Sequence, residues 1–129
     1  MIVLGIDTSG YANAVGVADG ERILADSIFP ARTDSLEKII SNIDSVLKEA
    51  NLCLEDVQGF GVGLGPGSWT GIKVGVTVAK ILAYSAGKLV CWCTYPGGSC
   101  LRCPKQPRSN LPHHLRWYQG YGICCLLSY

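Results

Sequence analysis

The chain has 129 residues, 48% of them hydrophobic and 16% charged. That suits one packed domain, or one lobe of a two-lobed protein, and excludes a globally disordered chain. A net charge of +1 gives no overall footprint for nucleic acid, and no apolar run approaches the roughly 20 residues of a membrane span. Met1 to Ile6 is almost wholly apolar, as a strand buried on both faces requires. It has neither a basic leader nor a small-residue cleavage site before it, so a cytoplasmic protein away from membranes is expected. Asn13 to Val17 reads as a second strand, Asp19-Gly20 as a tight turn, and Arg22 to Phe29 as a third strand closing a hairpin and ended by Pro30.

A helix follows. Asp34 with Glu37 three residues on has the spacing of a capping box. Leu36, Ile39, Ile40, Ile43, Val46, Leu47 and Ala50 then form one apolar stripe, and Asn51 is a stop signal. Val57 to Val62 reads as a fourth strand. It runs into a glycine-rich loop from Gly63 to Gly71 and a second helix from about Ile72 to Ser85, with Gly87 where a C′ glycine belongs. Leu89-Val90 opens a fifth strand. The order β-β-β-α-β-α-β predicts an α/β fold: the ribonuclease-H-like half-domain that actin, sugar kinases and Hsp70 use twice.

Two segments have the residue types of a ligand site. Asp7-Thr8-Ser9 places a carboxylate and two hydroxyls at a strand end, where they could hold a metal-bound phosphate or simply form a turn. Gly65, Gly67, Ser68, Thr70 and Gly71 stand before a helix, where backbone N–H groups can converge on an anion; equally, the glycines can serve a tight turn and close packing. The loop is not a Walker A loop, because Lys73 lies two residues beyond Gly71 and no Gly-Lys-Ser/Thr ending occurs. It lacks the acidic partner of a dinucleotide fingerprint as well. No histidine occurs before His113 and His114, so a histidine base or histidine metal site within residues 1–90 is excluded.

The stretch Leu4-Gly5-Ile6-Asp7-Thr8-Ser9, then Ala14-Val15-Gly16-Val17, and above all Gly63-Leu64-Gly65-Pro66-Gly67-Ser68-Trp69-Thr70-Gly71-Ile72-Lys73-Val74-Gly75 resembles the TsaB (YeaZ) family of tRNA threonylcarbamoyladenosine biosynthesis. The family usually has Phe at the place of Trp69 and Leu-Arg at the place of Ile72-Lys73. The resemblance runs from Met1 to Val90. It implies a non-catalytic dimerisation subunit with two actin-like lobes and no cofactor of its own. Its partners would be a catalytic TsaD-type subunit and a TsaE-type ATPase, which bring the divalent metal and the ATP. The tRNA would be met only through the complex, and a homodimer is a further expectation. The two helices are then the partner surface, with Leu36, Ile39, Ile40, Ile43, Lys73, Val76 and Lys80 as contact candidates.

Beyond Val90 the composition breaks. Every Asp and Glu lies at or before Asp56, and every Cys but Cys53 lies at or after Cys91. Cys100-x-x-Cys103, Cys91-x-Cys93 and His113-His114 offer zinc ligand types, but no second well-spaced pair and no hairpin signal surround them, and no metal is expected. Cys91-Trp92-Cys93-Thr94-Tyr95-Pro96-Gly97-Gly98-Ser99-Cys100 can be encoded by bases that, read one base later, give Ala-Gly-Val-Pro-Thr-Leu-Glu-Ala-Leu, as a TsaB chain continues. Residues 91–129 are therefore expected to be a frameshifted, irregular and poorly ordered tail behind a lobe of residues 1–90. A fragment of an actin-like kinase, with Asp7 on magnesium, and a non-functional product are the alternatives.

Overall fold

A computed structural model describes residues 1–20, 22–31, 35–94 and 99–100, with side chains left aside at 35, 36, 93, 94, 99 and 100. Six strands form one mixed sheet in the order β3-β2-β1-β4-β5-β6. They are β1 Ile2–Asp7, β2 Ala12–Asp19, β3 Arg22–Pro30, β4 Gly59–Gly63, β5 Leu89–Thr94 and β6 Ser99–Cys100. The helices are α1 Ser35–Glu49 and α2 Trp69–Ala86. β1, β2 and β3 are joined antiparallel, whereas β4 and β5 add parallel beside β1. The expected element order is present, and the fold is the α/β class read from the sequence.

Strand alternation assigns the core. Leu4 and Ile6 of β1, Val15 and Val17 of β2, and Phe60 and Val62 of β4 are registered side by side and fully buried. Ile39, Ile43, Val46 and Leu47 of α1 and Val78, Ala79 and Ala83 of α2 join the same apolar cluster. At about 25 cal/mol per Å2 of apolar surface removed from water, this shared cluster is the main term holding helices to sheet. Asn51 ends α1 with a positive φ of 56°, and Gly87 ends α2 with a φ of 64°, both in the left-handed conformation that closes a helix.

The elements differ from the sequence reading in several places. α2 begins at Trp69 rather than Ile72, because the Ser68 side chain caps it by accepting from the Gly71 N–H. A short 3-10 turn, Leu54–Asp56, precedes β4. β5 continues past Val90 to Thr94, since Cys91, Trp92 and Cys93 pair in register with Gly61, Val62 and Gly63. The sequence reading has no strand after the one opened by Leu89-Val90, whereas β6 pairs antiparallel with β5, Cys93 opposite Cys100 and Thr94 opposite Ser99. The cap at Asp34 and the rest of the expected irregular tail, including Cys103 and the two histidines, lie outside the described residues.

Candidate functional site

The carboxyl ends of β1 and β4 meet the amino end of α2, and the two segments singled out in the sequence come together there. Asp7 closes β1, buried. Its Oδ1 accepts from the Ser9 N–H at 2.9 Å and from the Ser9 hydroxyl at 2.8 Å. This folds Asp7-Thr8-Ser9 back on itself. Burial pushes the Asp7 carboxyl above its ordinary value, and the two Ser9 hydrogen bonds oppose that rise. Across the ladder Gly63 faces the carboxyl so closely that a Cβ there would lie 2.7 Å from Asp7 Cγ.

The glycine loop then docks on the same segment. The Ser68 N–H donates to the Ser9 carbonyl at 2.7 Å. The Thr8 hydroxyl donates to the Gly71 carbonyl at 2.6 Å, joining residues 63 positions apart. Gly65 takes a φ of 83°, which only glycine adopts readily. A Cβ on Gly67 would run into the Ser9 carbonyl oxygen, and one on Gly71 into that of Thr8. Each glycine thus lets backbone touch backbone. Gly71 N–H is held by the Ser68 side chain at 3.2 Å, and Ile72 N–H by the Ser68 carbonyl at 2.9 Å. Thr70 is exposed at the helix start.

Asp7, Thr8, Ser9, Gly65, Gly67, Ser68 and Gly71 therefore form one cluster, tied together by hydrogen bonds among Asp7, Thr8, Ser9, Ser68 and Gly71 and by the close approach of the glycines. A metal-bound phosphate fits this donor set poorly: one carboxylate stands alone in it, and one of its oxygens is already doubly occupied.

The helix candidates divide. Ile39 and Ile43 are buried in the core and present nothing to a partner. Ile40 is 47% exposed. Lys73 and Lys80 are exposed and Val76 is half-buried, while the Leu36 side chain lies outside the description. Sequence reasoning missed the best-exposed apolar groups of α2: Trp69 at 72%, Ile81 at 61% and Tyr84 at 91%. Lys73 and Lys80 lie over the Trp69 and Trp92 rings, 5.6 and 5.4 Å from their centroids. The spacing Trp69-Lys73-Thr77-Lys80-Ile81-Tyr84 follows one helix face and could have been found by asking what the core stripe leaves over.

Fold and site together define an actin-like, ribonuclease-H-like lobe whose first strand is clasped by a glycine loop. Solved structures agree: TM-scores are 0.53 to RuvC of Thermus thermophilus in complex with a Holliday junction substrate and 0.52 to the ROK hexokinase of Thermus thermophilus, at 16% and 24% identity. They cover 74% and 73% of this chain and 66% and 35% of those chains. A protein from Pseudomonas aeruginosa with similarity to the peptidase YeaZ superposes with a TM-score of 0.67 at 25% identity, over 72% of this chain and 43% of its own. The family described as "TsaD: tRNA N6-adenosine threonylcarbamoyltransferase" matches residues 28–92. The chain belongs to this TsaD/TsaB (YeaZ) family of tRNA threonylcarbamoyladenosine modification. It is 32% identical over 85 residues to the tRNA threonylcarbamoyladenosine biosynthesis protein TsaB of Bacillus subtilis, covering 66% of this chain and 37% of the relative. It is 33% identical over 101 residues to the tRNA N6-adenosine threonylcarbamoyltransferase of Tropheryma whipplei, covering 67% of this chain and 25% of the relative. The chain thus spans a quarter to about a third of the length of these relatives.

Proposed function

We propose that this chain is the first lobe of a TsaB-type scaffold, a non-catalytic cytoplasmic subunit that supports a TsaD-type transferase in modifying the adenosine next to the tRNA anticodon. The observation that carries TsaB over TsaD is the alignment itself. For the Bacillus subtilis TsaB, 85 aligned positions cover 66% of the 129 residues, leaving no room for insertions. For the Tropheryma whipplei transferase, 101 positions are needed to cover 67%, so that chain carries extra segments this one lacks. The lack of any histidine before His113 points the same way, since the transferase would need metal-binding histidines.

In this reading the Asp7-Thr8-Ser9 and Gly65–Gly71 segments act as a structural clasp rather than a phosphate site. The partner surface is the outward side of α1 and α2. Its charges are split: α1 exposes Glu37, Asp44, Lys48 and Glu49, whereas α2 and its end expose Lys73, Lys80 and Lys88 with no carboxylate among them. Exposed Ile40, Trp69, Ile81 and Tyr84 supply the apolar anchors that a protein interface needs. The TsaE-type ATPase, the ATP and the metal enter with the partners, and this chain meets tRNA only through them. The family match ends at residue 92, where the composition also changes. Both support a frame shift near Cys91, with residues 93–129 beyond the family match.

The test is co-purification of this chain with a TsaD-type protein from the same source, beside a version with the shifted frame restored. Binding by both places the partner surface within residues 1–90. Binding by neither, with both folded, overturns the scaffold reading.

A further inference from the structure

We propose that α2 docks on an acidic surface of the TsaD-type partner, with Lys73 and Lys80 each set opposite a partner carboxylate. The inference rests on the scaffold reading and names the chemistry that the α2 half of its surface selects. Lys73 and Lys80 are the only charged residues of α2, and both are exposed. No Asp or Glu occurs after Asp56. A helix commonly balances a lysine with a carboxylate one turn away. Those places hold Trp69, Thr70, Val76 and Thr77 around Lys73, and Val76, Thr77, Ala83 and Tyr84 around Lys80. α1 does the opposite: Lys48 Nζ meets Asp44 Oδ2 at 2.6 Å within the helix. No carboxylate among the described residues pairs with Lys73 or Lys80.

Each lysine rests on an aromatic ring instead. Lys73 Nζ lies 5.6 Å from the Trp69 centroid, and Lys80 Nζ lies 5.4 Å from that of Trp92. A ring face attracts the ammonium but accepts no conventional hydrogen bond, so its N–H donors remain available to an incoming carboxylate. The ring also narrows the rotamers of a flexible side chain, which lowers the entropy lost when a partner fixes it. Seven positions separate the two lysines. That is two turns, so they stand about 10 Å apart along one side of the helix. Ile81 and Tyr84, 61% and 91% exposed, continue this side. They give the contact an apolar centre, and the lysines give it a charged rim.

RNA phosphates would suit the same cations, but the surroundings favour a protein. Tight phosphate binding draws on an extended basic stripe. Here Lys73, Lys80 and Lys88 are the lysines of α2 and its end, and the whole chain carries a net charge of +1. The exposed aliphatic Ile81 beside them gains from burial against a protein and has nothing to pair with on a phosphate backbone. Carboxylates on the partner then steer its approach and fix its register on α2, which is what charges at an interface rim do best.

The full chain is mixed with a purified TsaD-type subunit from the same source and treated with a water-soluble carbodiimide, which joins an amine to a carboxylate in contact with it. Mass spectrometry of the digested complex is expected to find Lys73 and Lys80 linked to Asp or Glu residues of the subunit. Lys73→Gln and Lys80→Gln should each weaken affinity about twofold to fivefold at low salt, chiefly through the association rate. The difference should vanish near about 0.5 M salt. Lys48→Gln, whose ammonium Asp44 already meets, should change affinity little. A complex without links from Lys73 and Lys80, or one indifferent to salt and to both substitutions, overturns this proposal and leaves the scaffold reading standing. No complex at all overturns both. An unmodified tRNA transcript that the chain binds alone, and loses on the two substitutions, overturns it in favour of RNA. The cross-link map uses the unaltered chain, so it holds even where a variant fails to fold.

Discussion

Substituting Gly71 by Ala tests the clasp directly. The added Cβ would meet the Thr8 carbonyl oxygen, which is backbone and cannot rotate away. It would lie 3.4 Å from Ser68 Cβ on the other side. Relief requires lifting the first turn of α2 off the end of β1, and two hydrogen bonds lie in that path. They are Thr8 hydroxyl to Gly71 carbonyl at 2.6 Å and Gly71 N–H to Ser68 hydroxyl at 3.2 Å. Overpacking costs about 1–3 kcal/mol, and the weakened hydrogen bonds add about 1 kcal/mol. A loss near 3 kcal/mol is a large share of a stability of about 5–15 kcal/mol, and shifts the folding equilibrium roughly 100-fold. The control is Gly59→Ala, whose Cβ would meet nothing within 4 Å and which should leave stability unchanged or raise it by about 0.4–1 kcal/mol. Urea unfolding followed by far-ultraviolet circular dichroism reads both, as a midpoint shift at unchanged slope. Equal midpoints for the two variants would refute the clasp.

Further outcomes follow from the same geometry. Ile39→Ala should cost about 2–5 kcal/mol because Ile39 is fully buried in the core. Ile40→Ala should leave stability within about 0.5 kcal/mol yet weaken binding to a TsaD-type partner; thermal melts and a pull-down separate the two effects. Asp7 carries a raised folded pKa, so the folded state holds its proton more tightly than the unfolded chain does. Its stabilising share is therefore present below the ordinary value of 3.8 and lost as pH rises through the raised folded value. Asp7→Asn should accordingly raise the urea midpoint at neutral pH and lose that advantage on acidification through this window; an advantage that grows in acid would contradict it. Asn13 is 1% exposed and its Nδ2 has no acceptor. Leaving a buried donor unpaired costs about 1–3 kcal/mol, so Asn13→Val should match or exceed the parent midpoint, unlike other substitutions at buried sites.

Much of the fold was legible because its signals are local. The apolar run of β1, the Asp19-Gly20 turn, the stripe of α1 and the glycine after α2 each follow from one backbone rule, and the order of elements then restricts the topology. The start of α2 was misplaced because its cap is a serine inside a glycine-rich run, where turn and cap share a vocabulary. β6 escaped notice because two residues carry no period, and its pairing is set by register against Cys93 and Thr94. Of the site, both halves were found but their relation was not. Thr8 meets Gly71 only through the parallel addition of β4 beside β1. Ile39 and Ile43 were assigned to a partner surface because an apolar stripe does not say which of its members the core consumes; the packing of α1 on the sheet buries them.

The most direct test of the central claim is the affinity of the chain for a purified TsaD-type subunit, measured by calorimetry with and without Ile81→Glu and Tyr84→Glu on the exposed face of α2. Measurable binding that the double substitution abolishes, with its melting temperature unchanged, is the predicted result. Binding that survives the double substitution undiminished would contradict the account.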